Sequence, residues 1–159
     1  MADSVRELIM KELQSTLEGI TVANGYSLTL TSVQRQLQRG QSFNPPQAYI
    51  FERDDRPIDS TQQDAGGVAT ERAMEVGVGL VVQQDEETDA RSASEAMNAV
   101  LADVQRVMQI DVQRGGHALN TEEIGITEIE IVEGQPALVA SIAYEIRYRH
   151  LRTDPRVEV

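Results

Sequence analysis

Residues 92–149 change hydrophobic period once, from helical to alternating, and that switch constrains the fold more than any other feature of the chain. Ala93, Ala96, Met97, Val100, Leu101, Val104, Val107 and Met108 recur at helical spacing on one face. In front of them Ser92-Ala93-Ser94-Glu95 fits a capping box, in which the serine hydroxyl and the glutamate satisfy the first free amides of a helix. Gly115-Gly116 can take positive φ and stop that helix. Residues 125–132 and 137–149 then alternate apolar and polar side chains, as hairpin strands do, about a turn at Glu133-Gly134-Gln135-Pro136. An amphipathic helix followed by a hairpin predicts a helix lying with its apolar stripe on a sheet. No catalytic residue set is embedded in this stretch.

The rest of the chain extends the pattern. Residues 4–18 read as a first helix, opened by a second capping box at Ser4-Val5-Arg6-Glu7, with Val5, Leu8, Ile9, Leu13 and Leu17 inward and Gly19 as its C-terminal cap. After a turn-rich link centred on Asn24-Gly25, Leu28, Leu30 and Val33 mark a first strand. Asn44-Pro45-Pro46 favours extended backbone and delays pairing, so the next strand is expected from Gln47 through Ala48, Tyr49, Ile50 and Phe51. Met74, Val76, Val78, Leu80 and Val82 alternate through a third, and Gly77 and Gly79 on its other face leave room for something to pack closely. Residues 54–70 read as a long loop, ordered by a partner or disordered. The predicted architecture is a single α+β domain over residues 1–159. It has a mostly antiparallel sheet of about five strands, two amphipathic helices packed on one face, the 54–70 loop and a short C-terminal extension at 151–159. At 159 residues the chain can bury one real core and would make two weak halves.

Charge narrows the partners. The chain carries 26 acidic and 14 basic side chains, a formal charge of -12, whereas affinity for nucleic acid rests on Lys and Arg. Lys11 is its one lysine. The absence of cysteine excludes disulfides, thiolate zinc sites and cysteine nucleophiles. Residues 1–7 lack the basic flank and apolar run of a signal peptide, and no stretch approaches the ~18 apolar residues of a membrane span. A cytoplasmic protein without membrane contact is expected.

No motif points to chemistry. His117 and His150 have no partner at ligand spacing, so neither a metal nor a cofactor is expected. Asp85-Glu86-Glu87-Thr88-Asp89 precedes a helix, where the dipole favours negative charge, and reads as a solvated face. Glu122-Glu123, or Glu128 with Glu130, are candidate acid–base pairs by type, but nothing suggests burial. Glu128 and Glu130 share the side of a strand opposite Ile129 and Ile131, which faces solvent or a neighbouring subunit. Neither a Gly-x-Ser-x-Gly elbow nor a Gly-Lys-Ser/Thr phosphate loop occurs. Met97 and Met108 read as core filler. Arg147, Arg149 and Arg152 with Tyr148 form the one basic and aromatic cluster. Given the acidic balance, these arginines are expected to pair with carboxylates of a neighbouring subunit.

Several short segments, in order, resemble one family. They are Leu17-Glu18-Gly19-Ile20, Gly25-Tyr26, Asn44-Pro45-Pro46 leading into Ala48-Tyr49-Ile50, Ala102-Asp103-Val104, Gly115-Gly116-His117-Ala118 and Tyr144-Glu145-Ile146-Arg147-Tyr148. Together they are similar to the small tail terminator, or tail completion, proteins of long-tailed bacteriophages. The resemblance spans nearly the whole chain, and the 54–70 loop and the residues after His150 have no clear counterpart in it. It implies a non-enzymatic ring, usually hexameric, that caps the tail tube, stops its polymerisation and presents a docking face to the head connector. Its partners would be further copies of itself, the tube protein, a sheath where the tail is contractile, and the connector, in a virion assembled in a bacterial cytoplasm. DNA would pass through an acidic lumen without specific binding. Ring closure requires contact between two different patches. Arg39, Asp54, Asp55, Arg56, Glu128, Glu130, Glu145, Arg147, Arg149 and Arg152 are the candidate subunit and partner contacts. A neck adaptor without a tube-capping role is the alternative. A small α+β enzyme would need a convergent set of carboxylates or histidines that the sequence does not supply.

Overall fold

The computed structural model describes residues 2–35, 44–58, 69–83, 90–127, 130–131 and 137–159, with Ala90, Arg91 and Ile131 as backbone alone. In chain order the elements are α1 (Val5–Glu18), β1 (Ser32–Arg35), β2 (Gln47–Pro57), β3 (Ala69–Gln83), α2 (Ala90–Ile110), β4 (Asn120–Ile126), β5 (Glu130–Ile131) and β6 (Ala137–Leu151). The strands form one mixed sheet in the order β1-β2-β3-β6-β4, with β5 also on β6. Among the described residues only the β1–β2 pair is parallel.

Alternation along β3 and β6 sorts side chains to the two faces. Met74, Val76, Val78 and Leu80 of β3 and Ile142, Tyr144 and Ile146 of β6 enter one core with Ile9, Met10, Leu13 and Leu17 of α1 and Met97, Val100, Val104 and Met108 of α2. Both helices therefore cover the same face of an α+β sheet. Burying each large apolar side chain stabilises the fold by about 1.5–3 kcal/mol relative to exposure, and Met97 and Met108 are fully buried there.

Local chemistry sets the helix ends. Ser4 Oγ accepts the Glu7 amide at 3.2 Å, as a capping residue does. The first amide of α1, that of Val5, donates to the Pro155 carbonyl at 3.1 Å, which ties the C-terminal extension to the helix. Gly19 does cap α1, in a right-handed conformation at φ -71°. The second helix begins at Ala90, ahead of Ser92, so the predicted capping box lies inside it. At its other end Arg114, Gly115 and Gly116 take φ of 50°, 69° and 91° in succession, and the chain reverses into β4.

Three boundaries depart from the sequence reading. The first strand is Ser32–Arg35; Leu28 and Leu30 pack on the core from the segment before it, where the Leu30 amide bonds the Ile20 carbonyl at 3.1 Å. The predicted 54–70 loop is shorter, because β2 continues to Pro57 and β3 starts at Ala69, joined by a bond from the Ile58 amide to the Glu71 carbonyl. Its residues 59–68 lie outside the described residues. The strand expected at 125–132 is instead β4, which starts at Asn120, and the two-residue β5; the turn at 133–136 lies outside the described residues.

A bulge in β2 sets the surface chemistry. Glu52 pairs with Val76 and Asp55 with Met74, so β2 gains one residue on β3. Both acids consequently look toward α1, and Arg56, opposite Ala73, turns to the other face.

Candidate functional site

The sheet face turned away from the helices holds four of the predicted contact residues, Arg56, Glu145, Arg147 and Arg149. Along its β1-distal half, charges of opposite sign interleave. Arg56 meets Glu145 at 3.0 Å, Arg147 meets the same carboxylate at 3.1 Å, Arg149 meets Glu71 at 3.0 Å and Arg53 meets Glu75 at 2.9 Å. Strand pairing puts these groups side by side: Glu71 lies opposite Arg149, and Glu75 opposite Glu145. The like-charged pair Glu75 and Glu145 is separated in partners, one taking Arg53 and the other Arg56 and Arg147. Glu145 is the largest influence on Arg147, holding its proton more tightly than usual.

Within the chain these arginines already have acceptors. Arg147 and Arg149 find their carboxylates on their own chain, at Glu145 and Glu71, because antiparallel pairing with β3 brings the acids within reach. Exposed ion pairs of this kind contribute ~0–1 kcal/mol each, so the lattice organises a surface more than it stabilises the subunit.

The other half of the same face is apolar. Tyr49, Val81 and Ala137 are buried in a second, small cluster against Phe51 and Val139. The Tyr49 and Phe51 rings stack with centroids 6.3 Å apart. A cleft of about 330 Å³ opens here, lined by Tyr49, Phe51, Val81, Val139, Thr127 and Glu130 among others. The room left by Gly77 and Gly79 is taken up by Phe51, whose ring would overlap a side chain at residue 79. Tyr49 Oη donates to Gln47 Oε1 at 2.8 Å, and Gln47 Nε2 donates to Ser32 Oγ at 2.7 Å, fastening β1 to β2 at the rim. Burial raises the Tyr49 phenol pKa.

The remaining predicted residues are dispersed. Asp54 is exposed in the β2 bulge, and Asp55 turns to the helix side, where it accepts from Arg72 Nε and Tyr148 Oη, each at 2.7 Å, and lies 3.3 Å from Arg6 Nε. Arg6 and Arg35 share Glu52, and Arg35 also holds Glu7. Glu130 is exposed on β5 at the cleft, and Arg152 is exposed beyond β6. Arg39 and Glu128 lie outside the described residues, as do the acidic run at 85–89, Ile129 and the glycines at 66 and 67. His117 Nδ1 meets Glu158 Oε1, and His150 Nδ1 meets the Leu151 carbonyl.

Two residues outside the predicted contact set have structural roles. Arg114, fully buried, reaches the Met108 carbonyl at the end of α2 and Thr121 Oγ at 3.1 Å. A helix C-terminus favours a cation, although desolvation lowers the arginine pKa. Its place just ahead of Gly115-Gly116 was the available signal. Asp103, 6% exposed, accepts the Ser27 amide at 2.7 Å and so anchors the turn after α1 to α2.

Among the described residues no group of three or more His, Asp or Glu is arranged to hold a metal ion, and no helix is long and apolar enough to cross a membrane. The chain matches no protein-family model and no curated protein.

Proposed function

We propose that the chain is a structural ring protein of a long-tailed bacteriophage, a tail terminator that caps the tail tube, stops its growth and joins it to the head. The observation that carries this reading is where the resembling segments fall. Gly19-Ile20 ends α1, Gly25 is a left-handed turn at φ 81°, and Asn44-Pro45-Pro46 leads into β2. Asp103 holds the turn at Ser27, Gly115-Gly116-His117-Ala118 joins α2 to β4, and residues 144–148 form the middle of β6. Four of the six segments thus sit at joints of the fold, and the other two lie within α2 and β6.

The charge supports the same reading. A ring of subunits each carrying -12 repels DNA phosphates, so a genome passes without adhering. The interleaved face of β3 and β6 offers directional polar contacts, which specify a neighbour's orientation more than they add affinity.

Light scattering over a concentration series, with and without tail tube subunits, tests the proposal. A ring-sized species, alone or on adding tubes, is expected. A monomer indifferent to tubes would overturn it. Charge reversal by Arg147→Glu with Arg149→Glu should weaken the ring more than Lys11→Glu; equal effects would remove this face from the assembly.

A further inference from the structure

Two rows of facing residues build the cleft on the apolar half of the outer sheet face. In one, Tyr49 lies opposite Gly79 and Gly79 opposite Ser141, whose carbonyl accepts the Thr127 amide at 2.8 Å. In the other, Val81 lies opposite Val139 and Val139 opposite Glu130. Residues directly opposite one another on paired strands project to the same face, so the register sets Glu130 beside Val139 at the cleft. Gly79 and Ser141 keep the middle low between the Tyr49–Phe51 ring pair on β2 and Thr127 and Glu130 on the far side. Three strand spacings, about 14 Å, separate β2 from β5, which leaves room for one ring-sized group and a short arm between the two walls.

The side-chain polar groups of the lining are satisfied in place, with one exception. Thr127 Oγ1 accepts the Ser141 amide at 2.9 Å and lies 3.2 Å from Ser141 Oγ, and Tyr49 Oη donates to Gln47. Glu130 has neither an ion pair nor a hydrogen bond among the described residues. On the same sheet face Glu71, Glu75 and Glu145 each hold an arginine. No Lys or Arg is among the described residues that line the cleft, so its charge is that of one unmatched carboxylate at the edge of an aromatic and aliphatic surface.

We propose that this cleft binds a small organic cation, with a ring-sized apolar body against Tyr49, Phe51 and Val139 and an ammonium group at Glu130. The site lies within one subunit and does not depend on ring formation. Its volume of about 330 Å³, its largely apolar lining and its single charged group are those of a small-molecule site. The apolar walls favour a body that leaves water, and the aromatic faces of Tyr49 and Phe51 tolerate a neighbouring cation. The carboxylate selects the sign of the charge. An anion would meet Glu130 in a chain of net charge -12, whereas a neutral ligand would gain the apolar contact alone.

Phenethylamine, phenylethanol and hydrocinnamate share a ring and differ in an end group that at about pH 7 is cationic, neutral and anionic respectively. Each is titrated into the isotope-labelled protein and followed by NMR at the amides of Thr127, Glu130, Val139 and Ser141. The amine is expected to bind with a Kd on the order of millimolar, as a probe of this size allows. The alcohol should bind more weakly and the acid more weakly still, with the shifts centred on those amides. Glu130→Gln should weaken the amine by about three- to fivefold, the range of an exposed ion pair, and leave the alcohol unchanged. Asp54→Asn removes the same charge from an exposed position in the β2 bulge and should leave the amine unchanged, which separates the cleft carboxylate from the general attraction of an acidic chain. Both charge variants alter exposed residues and should keep the thermal midpoint. Val139→Phe, which fills the cleft, should abolish binding of all three probes. Equal affinity for amine and acid, or equal losses in Glu130→Gln and Asp54→Asn, would overturn the proposal. Shifts centred elsewhere, or none with any probe, would overturn it as well, whatever light scattering shows of the ring.

Discussion

Phe51 lies across the bare backbone of Gly79, so that a Cβ there would overlap the ring at Cε2 and sit 3.2 Å from Cζ. The strand glycine thus serves a close approach within the chain itself. Gly79→Ala should destabilise by about 1–2 kcal/mol through overpacking, measured by urea denaturation. Gly77→Ala, whose nearest contact would be an ordinary 3.6 Å, should stay near neutral. Combining Gly79→Ala with Phe51→Leu should cost less than the sum of the two single changes, because the second relieves the first.

Asp55 and Arg56 are adjacent in sequence and should differ sharply in cost. Asp55 accepts from Arg72 and Tyr148 beneath α1 with 16% of its side chain exposed, whereas Arg56 is 62% exposed opposite Glu145. Asp55→Ala should destabilise by about 1–3 kcal/mol, since the buried Tyr148 hydroxyl and the half-buried Arg72 lose their acceptor. Arg56→Ala should cost ~0–1 kcal/mol. Comparable losses in chemical denaturation would contradict the side assignment imposed by the bulge.

Arg114→Lys should destabilise nearly as much as Arg114→Ala, by about 2 kcal/mol, because a lysine ammonium lacks the planar fork that reaches both the Met108 carbonyl and Thr121. Thermal unfolding of the two variants checks this. Full rescue by lysine would show that charge alone matters at the end of α2.

Alkaline conditions should unfold the protein through its tyrosines. Burial raises the pKa of Tyr49 and Tyr144, and burial first, then the hydrogen bond to Asp55, raises that of Tyr148. The folded state therefore keeps protons that the unfolded chain releases near pH 10. Their contribution is fully present below about pH 10 and is lost as pH rises through the higher folded values. Stability measured against pH should fall above that point, and Tyr148→Phe should flatten the fall. Tyr144→Phe should do the same at little cost, since its buried hydroxyl has no hydrogen-bond partner among the described residues.

Strong apolar periods made α1, α2, β3 and β6 legible in the sequence, and with them the α+β class. What escaped were elements held by polar pairing. The outer part of β2, from Arg53 to Pro57, has no apolar alternation to betray it; its partners are Glu75, Arg72 and Glu145. β4 buries Thr121 alone among its residues, as an edge strand can, and so its start at Asn120 carried no apolar signal. Leu28 and Leu30 imitated a strand because a short segment between a turn and β1 also packs on the core. Of the predicted contact residues, Arg56, Glu145, Arg147 and Arg149 converge on one face, which the alternation of β6 anticipated for the last three. Their intramolecular acceptors depend on the register with β3, which no local pattern records.

β6 is the last strand in chain order, yet it lies between β3 and β4. The amide that opens α1 is likewise completed by Pro155. A ribosome therefore releases α1 and the β1-β2-β3 part of the sheet well before the strand that joins it to β4. Completion of the sheet must wait for β6, a long-range closure of the kind that slows folding. A chain cut short before β6 should yield two unjoined strand edges prone to aggregate, rather than a smaller stable fold.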